Sequence, residues 1–212
     1  MKLVGITGRL GSGKSFVAHE LSFNTPNSKV IEIDFIRNAL FKTSKAKDAI
    51  LLRKEIANAF EVSTDSQYAW LEYTTFYQKL FSSPKQVSLC AHIMTPYIKK
   101  RIKRILNEFK KENVSEVYLA WAYLIEQDYL DMVDEVIFVT CQEDLVLTRA
   151  EFSPHFNPEE AKRRRFIEPS DTERIAILEE KEIPFKVIDN SKSIAEHVNE
   201  GTFINARNTK NN

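Results

Sequence analysis

The chain is poor in glycine and cysteine, and it has no excess of charge of either sign. Only five glycines occur among its 212 residues, and four of them lie in the segment 5–13, GITGRLGSG. The two cysteines, Cys90 and Cys141, are far apart in the sequence and form no C-x-x-C pair. This distribution excludes a disulfide-stapled domain and a cysteine-rich zinc site, and it indicates reduced thiols in a cytoplasmic protein.

Charge and hydropathy narrow the possible partners. Lysine and arginine total 30, and aspartate and glutamate also total 30. This balance gives no global field that would favour nucleic acid or an anionic membrane surface. No apolar run approaches the length of about 20 residues that a membrane-spanning helix needs. We therefore expect a small-molecule ligand, no nucleic acid and no membrane, while the oligomeric state stays open.

Short apolar runs alternate with helical patterns along the chain. Runs typical of buried strands lie at residues 2–7, 29–34, 116–124, 134–140 and 184–189. Several of them are apolar without interruption, as in parallel sheets that are covered on both faces. The alternation predicts an α/β fold with a parallel sheet, in a single domain over residues 1–200.

Three segments depart from this alternation. Residues from about 45 to 112 have mainly helical periodicity, which predicts an inserted helical subdomain. Residues from about 150 to 170 are charged and interrupted by proline, which is typical of a mobile lid. The end of the chain, residues 201–212, is polar and predicts a flexible tail.

The glycine-rich segment carries the clearest chemical signal. Residues Gly8 to Ser15 match the pattern G-x-x-x-x-G-K-S, with an apolar strand before it and a helical pattern after it. Glycine lets the backbone curl so that successive N–H groups point at one phosphate, and the following helix adds positive charge at its N-terminus. Lys14 supplies a cation for the β- and γ-phosphates, and the Ser15 hydroxyl can bind Mg²⁺. We predict a nucleoside triphosphate site made by Gly8, Gly11, Ser12, Gly13, Lys14, Ser15 and Phe16.

A phosphoryl-transfer enzyme also needs a carboxylate that orients the acceptor hydroxyl and takes its proton. Asp34 is the candidate, because it ends the predicted strand 29–34 and ligands of open α/β sheets bind at the carboxyl ends of strands. Glu32 lies two residues earlier and would point to the same face of that strand. The alternative is that Asp34 merely caps the helix that follows.

Basic residues offer further candidates. Arg149 follows the fourth predicted strand, and Arg163 lies in the run KRRR at 162–165. Arginines on a lid that closes over ATP would stabilise the transferred phosphate, although such a run is also typical of a solvated helix face. The helix predicted at 95–111 is basic on one face, which could receive a phosphorylated acceptor or simply be solvated.

Together these segments resemble the dephospho-CoA kinase family over most of residues 1–199. The opening VGITGRLGSGKSFVA resembles the family's first strand and loop, and VIEIDFI resembles its VIDAD segment with Asp34 on the second aspartate. The later resemblance rests on residues 117–149, on NPEEAKRRRFIEP at 157–169, which is similar to the family's lid, and on VIDNS at 187–191. Within the first of these blocks, Leu124, Glu126, Asp134 and Arg149 are in register with the family's pattern.

The resemblance implies a three-layer P-loop kinase fold with an inserted helical acceptor-binding subdomain and a mobile lid. It implies an ATP- and Mg²⁺-dependent transfer of phosphate to the ribose 3′-hydroxyl of dephospho-CoA, the last step of coenzyme A biosynthesis. It also implies that Asp34 is the base and that Lys14, Arg149 and Arg163 are the catalytic cations.

The sequence departs from the family's pattern at Thr95, Ala122 and Ile167, in the acceptor and lid regions. Two other functions therefore stay open. One is a nucleoside or deoxynucleoside monophosphate kinase, for which Arg37 and Arg53 would be the candidate acceptor arginines. The other is a nucleotide-binding protein without turnover.

Overall fold

The computed structural model describes residues 1–65, 67–146 and 168–191. Its strands form a five-stranded sheet in the order β2-β3-β1-β4-β5. β1 pairs in parallel with β3 and with β4, and β4 pairs in parallel with β5. The strands are β1 Lys2–Thr7, β2 Ser28–Glu32, β3 Glu116–Ala120, β4 Glu135–Thr140 and β5 Phe185–Asp189. The parallel α/β fold that the sequence predicted is confirmed.

The central strands are the most apolar ones because both of their faces are covered. β1 is buried at every residue after Lys2, and β3 and β4 are each buried at four consecutive positions. On one face, Val4 and Ile6 of β1 share a core cluster with Ile137 of β4 and with Val17 and Leu21 of the first helix. Burial of such side chains stabilises the fold by roughly 1.5–3 kcal/mol each.

Helices occupy most of the remaining described chain. They are α1 Lys14–Phe23, α2 Ile33–Asn38, α3 Lys47–Phe60, α4 Tyr73–Leu80, α5 Pro84–Lys111 and α6 Asp171–Glu180, with a π-helical turn at Ala39–Thr43 and a 3-10 turn at Leu130–Met132. A further helix starts at residues 143–146, where the described range ends. In the described chain from 33 to 111, strand-type pairing is limited to an isolated bridge between Thr64 and Leu71.

The chain divides into two compact units. The first unit contains Met1–Ile31 and the described residues from Asn113 onward, and it holds the central strands. The second unit is Glu32–Glu112 and contains α2 to α5. The insertion predicted for about 45–112 lies within this second unit. The predicted lid at 150–170 falls almost wholly outside the described residues, and the predicted tail at 201–212 does so entirely.

Two predicted elements begin or end elsewhere. β2 ends at Glu32, because the buried Ile33 already starts α2, so Asp34 is helical rather than the last residue of a strand. The basic helix begins at Pro84 rather than at residue 95, with Ser83 accepting a hydrogen bond from the amide of Gln86. Pro96 therefore lies inside α5 instead of opening it.

Two further differences concern the later chain. β3 ends at Ala120 rather than at Leu124, because residues 122–128 form turns. α6 was not predicted, although its start has a recognisable capping box. The side chain of Ser170 accepts from the amide of Glu173, and the carboxylate of Glu173 accepts from the amide of Ser170.

Candidate active site

The glycine-rich loop, residues 8–15, connects the end of β1 to α1 in the first unit. Gly8, Gly11 and Gly13 have φ values of 145°, 78° and 87°, a region that side chains other than hydrogen rarely allow. Space is a second constraint. A Cβ atom on Gly8 would lie 2.1 Å from the carbonyl oxygen of Val139, and one on Gly11 would lie 2.4 Å from Cγ1 of Val146. The loop therefore requires glycine at both positions.

Hydrogen bonds within the loop define its shape. The amide of Ser12 donates to the carbonyl oxygen of Arg9 over 3.1 Å, which closes a tight turn. The ammonium group of Lys14 donates to the same carbonyl oxygen over 3.0 Å. Gly13 caps α1 with no side chain of its own, so the N-terminus of the helix is not covered by a capping group. This arrangement is typical of a site for an anionic phosphate.

Two side chains from distant parts of the chain hold the loop from outside. The amide nitrogen Nδ2 of Asn190 donates to the carbonyl oxygen of Ser12 over 2.9 Å in a buried position. The carboxylate oxygen Oε2 of Glu168 accepts from the backbone N–H of Leu10 over 3.2 Å. Together, these two contacts hold the loop backbone at Ser12 and at Leu10.

The loop fits a nucleotide in two further respects. Ser12 is only 2% exposed, and its buried hydroxyl oxygen has no hydrogen-bond partner within the described chain. A buried polar atom of this kind normally finds a partner, and a bound phosphate would supply one. Ser15 is exposed in the first turn of α1, directly after Lys14, which is where a P-loop serine binds Mg²⁺.

Three charged side chains form a cluster beside the loop, in which Arg174 and Glu168 are buried and Glu126 is partly exposed. Nε of Arg174, which is fully buried, lies 2.5 Å from Oε1 of Glu126. Glu168 is 7% exposed. Burial is the main cause of the raised pKa of Glu126; the charge of Arg174 lowers that pKa, and the negative charge of Glu168 raises it further. The cluster thus contains two carboxylates and one guanidinium group.

Asp34 lies in the first turn of α2 in the second unit. Its side chain is 52% exposed, and its carboxylate pairs with Arg37 over 3.0 Å. The residue that caps α2 is Glu32, so the alternative role of Asp34 as a helix cap was wrong. The expectation that Glu32 and Asp34 share one strand face was also wrong, because only Glu32 belongs to a strand. Asp34 is nevertheless an accessible carboxylate with a neighbouring cation.

A pocket of about 470 Å³ opens between α2 and α5 within the second unit. This volume is in the range of small-molecule sites. Its apolar lining includes Phe35, Ile36, Leu40 and Ile105, and its cationic lining comes from Arg101 and Arg104. Phe35 directly follows Asp34 in the chain and is 68% exposed. The guanidinium of Arg101 is held by Asp48 through bonds of 2.7 and 2.9 Å.

Arg53, one of the two arginines considered for a monophosphate acceptor, is not accessible to a ligand. Its side chain is fully buried, and it donates to the backbone carbonyl oxygens of Leu40, Ser44 and Tyr68. The guanidinium group also lies 4.0 Å from the ring centroid of Trp70. All three of its nitrogens are therefore committed to the second unit itself.

The remaining predicted site residues lie elsewhere. Arg149 and Arg163 fall outside the described residues. The sequence reasoning missed the contacts of Glu168 and Arg174; the capping box at Ser170 would have indicated only the helix start between them. In the described part of the chain, no group of three or more histidine, cysteine and acidic side chains is placed to hold a metal ion. Within the same part, no helix is long and apolar enough to cross a bilayer.

Comparisons with known proteins agree on one family. The sequence model of the dephospho-CoA kinase family matches residues 2–196. A dephospho-CoA kinase of Dehalococcoides mccartyi is 24% identical over 82% of this chain and 84% of its own length. The corresponding enzyme of Corynebacterium diphtheriae is 26% identical over 91% of this chain and 90% of its own. That of Aromatoleum aromaticum is 28% identical over 91% and 87%.

Solved structures share the fold. A Thermus thermophilus protein superposes with a TM-score of 0.66 at 19% identity, over 97% of both chains. A dephospho-CoA kinase from Campylobacter jejuni superposes with a TM-score of 0.58 at 21% identity, over 96% of both chains.

Proposed function

Because the chain belongs to the dephospho-CoA kinase family, we propose that it transfers the γ-phosphate of ATP to the ribose 3′-hydroxyl of dephospho-CoA. In this reaction a bond forms between the ribose O3′ and the γ-phosphorus, and the bond from that phosphorus to the ADP leaving group breaks. The proton of the hydroxyl passes to a carboxylate of the enzyme. The observation that carries the proposal is the loop at 8–15, whose glycines and uncapped helix N-terminus are typical of a phosphate site.

The loop would bind ATP through its backbone amides and through Lys14. Lys14 would place its charge against the β- and γ-phosphates, where negative charge must be balanced during transfer. The nucleotide-binding residues we propose are Gly8, Gly11, Ser12, Gly13, Lys14, Ser15 and Phe16. Ser15 would hold Mg²⁺, which supplies charge neutralisation at the phosphates when bound.

Asp34 would act as the base that takes the hydroxyl proton. Its exposure supports this role, because a general base must reach the acceptor. Arg37 would keep the carboxylate oriented through the ion pair at 3.0 Å. Arg149 and Arg163 would add positive charge at the transferred phosphate, a role that rests on the sequence alone.

The pocket between α2 and α5 would hold part of the acceptor. Dephospho-CoA has an adenine ring and an anionic diphosphate, and the pocket combines apolar side chains with Arg101 and Arg104 beside one carboxylate, Glu108. The closeness in sequence of Phe35, a lining residue, to Asp34 supports an acceptor site beside the proposed base. The commitment of Arg53 to backbone carbonyls removes one of the two arginines that a monophosphate acceptor would have used.

The test of the function is ADP release in the presence of ATP and Mg²⁺ with separate acceptors. We expect turnover with dephospho-CoA, and none above background with nucleoside monophosphates or without acceptor. Phosphate on the 3′-hydroxyl would be confirmed by phosphorus NMR of the product. Turnover with a monophosphate and not with dephospho-CoA would overturn the proposal.

The acceptor pocket has its own test in the variant Arg104→Ala. Removing this cation from the pocket should raise the KM for dephospho-CoA about tenfold and leave the KM for ATP within twofold, since one charge-assisted contact is lost. Lys103→Ala is the matched control, because Lys103 is an exposed neighbour on the same helix that does not line the pocket. Equal effects of the two substitutions would show that Arg104 acts only through general charge.

A further inference from the structure

We propose that Glu168 is a positioning residue for the phosphate-binding loop. The proposal rests on the proposed function only in requiring that the loop bind ATP. Glu168 precedes the N-cap of α6 by two residues, and its carboxylate reaches the Leu10 amide across 158 positions of the chain. Its contact is with the backbone of Leu10, and not with the glycines or the lysine that would face the phosphates.

The position of this hydrogen bond is informative. Leu10 lies between Gly8 and Gly11, both at positive φ, in the most deformable part of the loop. A free loop of this kind has many conformations, and only those with converging amides bind phosphate. Because the Glu168 carboxylate holds the Leu10 amide, the loop is already restricted before the nucleotide binds. This restriction reduces the entropy that the loop loses on binding.

The cost of this arrangement supports a functional role. Burying a carboxylate near a site for a polyanion is unfavourable unless a cation compensates it. Arg174 belongs to the same charged cluster, where its Nε pairs with Glu126. Within the described chain, Nη1 and Nη2 of Arg174 and Oε1 of Glu168 are buried and have no hydrogen-bond partner. Groups left unsatisfied in this way cost stability, and such local costs are typical of functional sites.

Charge and reach of the Glu168 side chain can be separated by two conservative variants. Glu168→Gln keeps an oxygen at the same reach and removes the charge. Glu168→Asp keeps the charge, but its shorter side chain cannot reach the Leu10 amide. Binding is measured on the full chain by titration calorimetry with a non-hydrolysable ATP analogue and Mg²⁺, in the absence of acceptor. Glu179→Gln, an exposed position on the same helix, is the control.

If Glu168 positions the loop, Glu168→Asp should weaken binding of the ATP analogue about tenfold, the scale of one hydrogen bond. Glu168→Gln and Glu179→Gln should bind within twofold of wild type. In steady-state kinetics, Glu168→Asp should raise the KM for ATP with little change in kcat. A role in stability alone would lower the melting temperature of both Glu168 variants and leave both affinities unchanged.

The opposite pattern would overturn the proposal. If Glu168→Asp bound like wild type, the hydrogen bond to Leu10 would not set the affinity. If Glu168→Gln were the weaker or the tighter binder, the charge rather than the hydrogen bond would matter. The outcome is separate from that of the proposed function. Nucleotide binding with the expected pattern but no turnover of dephospho-CoA would refute the function alone, whereas absence of nucleotide binding by wild type would refute both.

Discussion

Replacing Arg53 by methionine tests how the second unit is held together. The guanidinium of Arg53 makes four hydrogen bonds to three backbone carbonyl oxygens. Those carbonyls belong to Leu40 in the π-helical turn, to Ser44 just after that turn, and to Tyr68 in the connection between α3 and α4. One fully buried side chain on α3 therefore ties together two segments that lie outside the α-helices and strands.

The size of the effect follows from these contacts. Methionine keeps an unbranched apolar stem of similar length, but it leaves the three carbonyls without their donor. A hydrogen bond to a charged group contributes roughly 1.5–3 kcal/mol, and the energy regained by no longer burying the charge offsets part of the loss. Loss of the contact with the Trp70 ring adds about 1 kcal/mol. We expect a net destabilisation of about 3–5 kcal/mol, as for other broken buried charge networks.

Urea unfolding followed by circular dichroism measures this loss directly. Lys54→Met, at the exposed position next to Arg53 on α3, should change the free energy of unfolding by less than about 0.5 kcal/mol. Arg53→Lys should also destabilise strongly, because one ammonium group cannot match the forked geometry that serves three acceptors. If Arg53→Met stayed within 1 kcal/mol of wild type, the three carbonyls would have other partners and the reasoning would be refuted.

Two further predictions concern catalysis and pH. Asp34→Asn should lower kcat by about a hundredfold or more and leave ATP binding unchanged in calorimetry, because it removes the proposed base but no phosphate contact; an unchanged kcat would exclude Asp34 as the base. Burial raises the pKa of Cys90 to about 12, whereas an unfolded cysteine ionises near a pKa of 8.5. The buried thiol therefore contributes stability that is fully present below about pH 8.5 and is lost as pH rises towards 12. Urea unfolding at pH 8 and pH 10 should show a larger loss for wild type than for Cys90→Ala, and equal losses would contradict the assignment.

Features that depend on neighbouring residues could be predicted from the sequence. The loop at 8–15 is encoded by glycine spacing and by the strand and helix patterns on either side, all within 23 residues of the start. The uninterrupted apolar runs of β1, β3 and β4 predicted a covered parallel sheet, because only buried strands tolerate apolar residues on both faces. In these segments, local propensity and tertiary packing favour the same structure.

The errors arose where one local pattern supports two structures. The alternation in VIEID fits a strand, but burial of Ile33 is equally satisfied in the first turn of α2, which begins there. Thr95 followed by Pro96 resembles a helix start, but Ser83 followed by Pro84 has the same pattern, and α5 begins there. A proline inside a helix costs about 3 kcal/mol. Packing of the buried Cys90, Met94, Ile98 and Ile102 along α5 offsets that cost, and periodicity alone does not measure such packing.

The contacts that hold the phosphate-binding loop belong to a different class, because no local pattern encodes them. The capping box at Ser170 and Glu173 could have predicted the start of α6, and hence the positions of Glu168 before it and Arg174 inside it. Nothing in that segment indicates that one would reach Leu10 and the other Glu126. Those contacts exist because the fold places the segments that follow β1 and β3 in one unit with the start of α6. A sequence motif thus predicts which residues bind the phosphates, while the residues that hold the motif's backbone are set by topology. Variants at Glu168 should therefore alter nucleotide affinity although they lie outside every nucleotide-binding motif of the sequence.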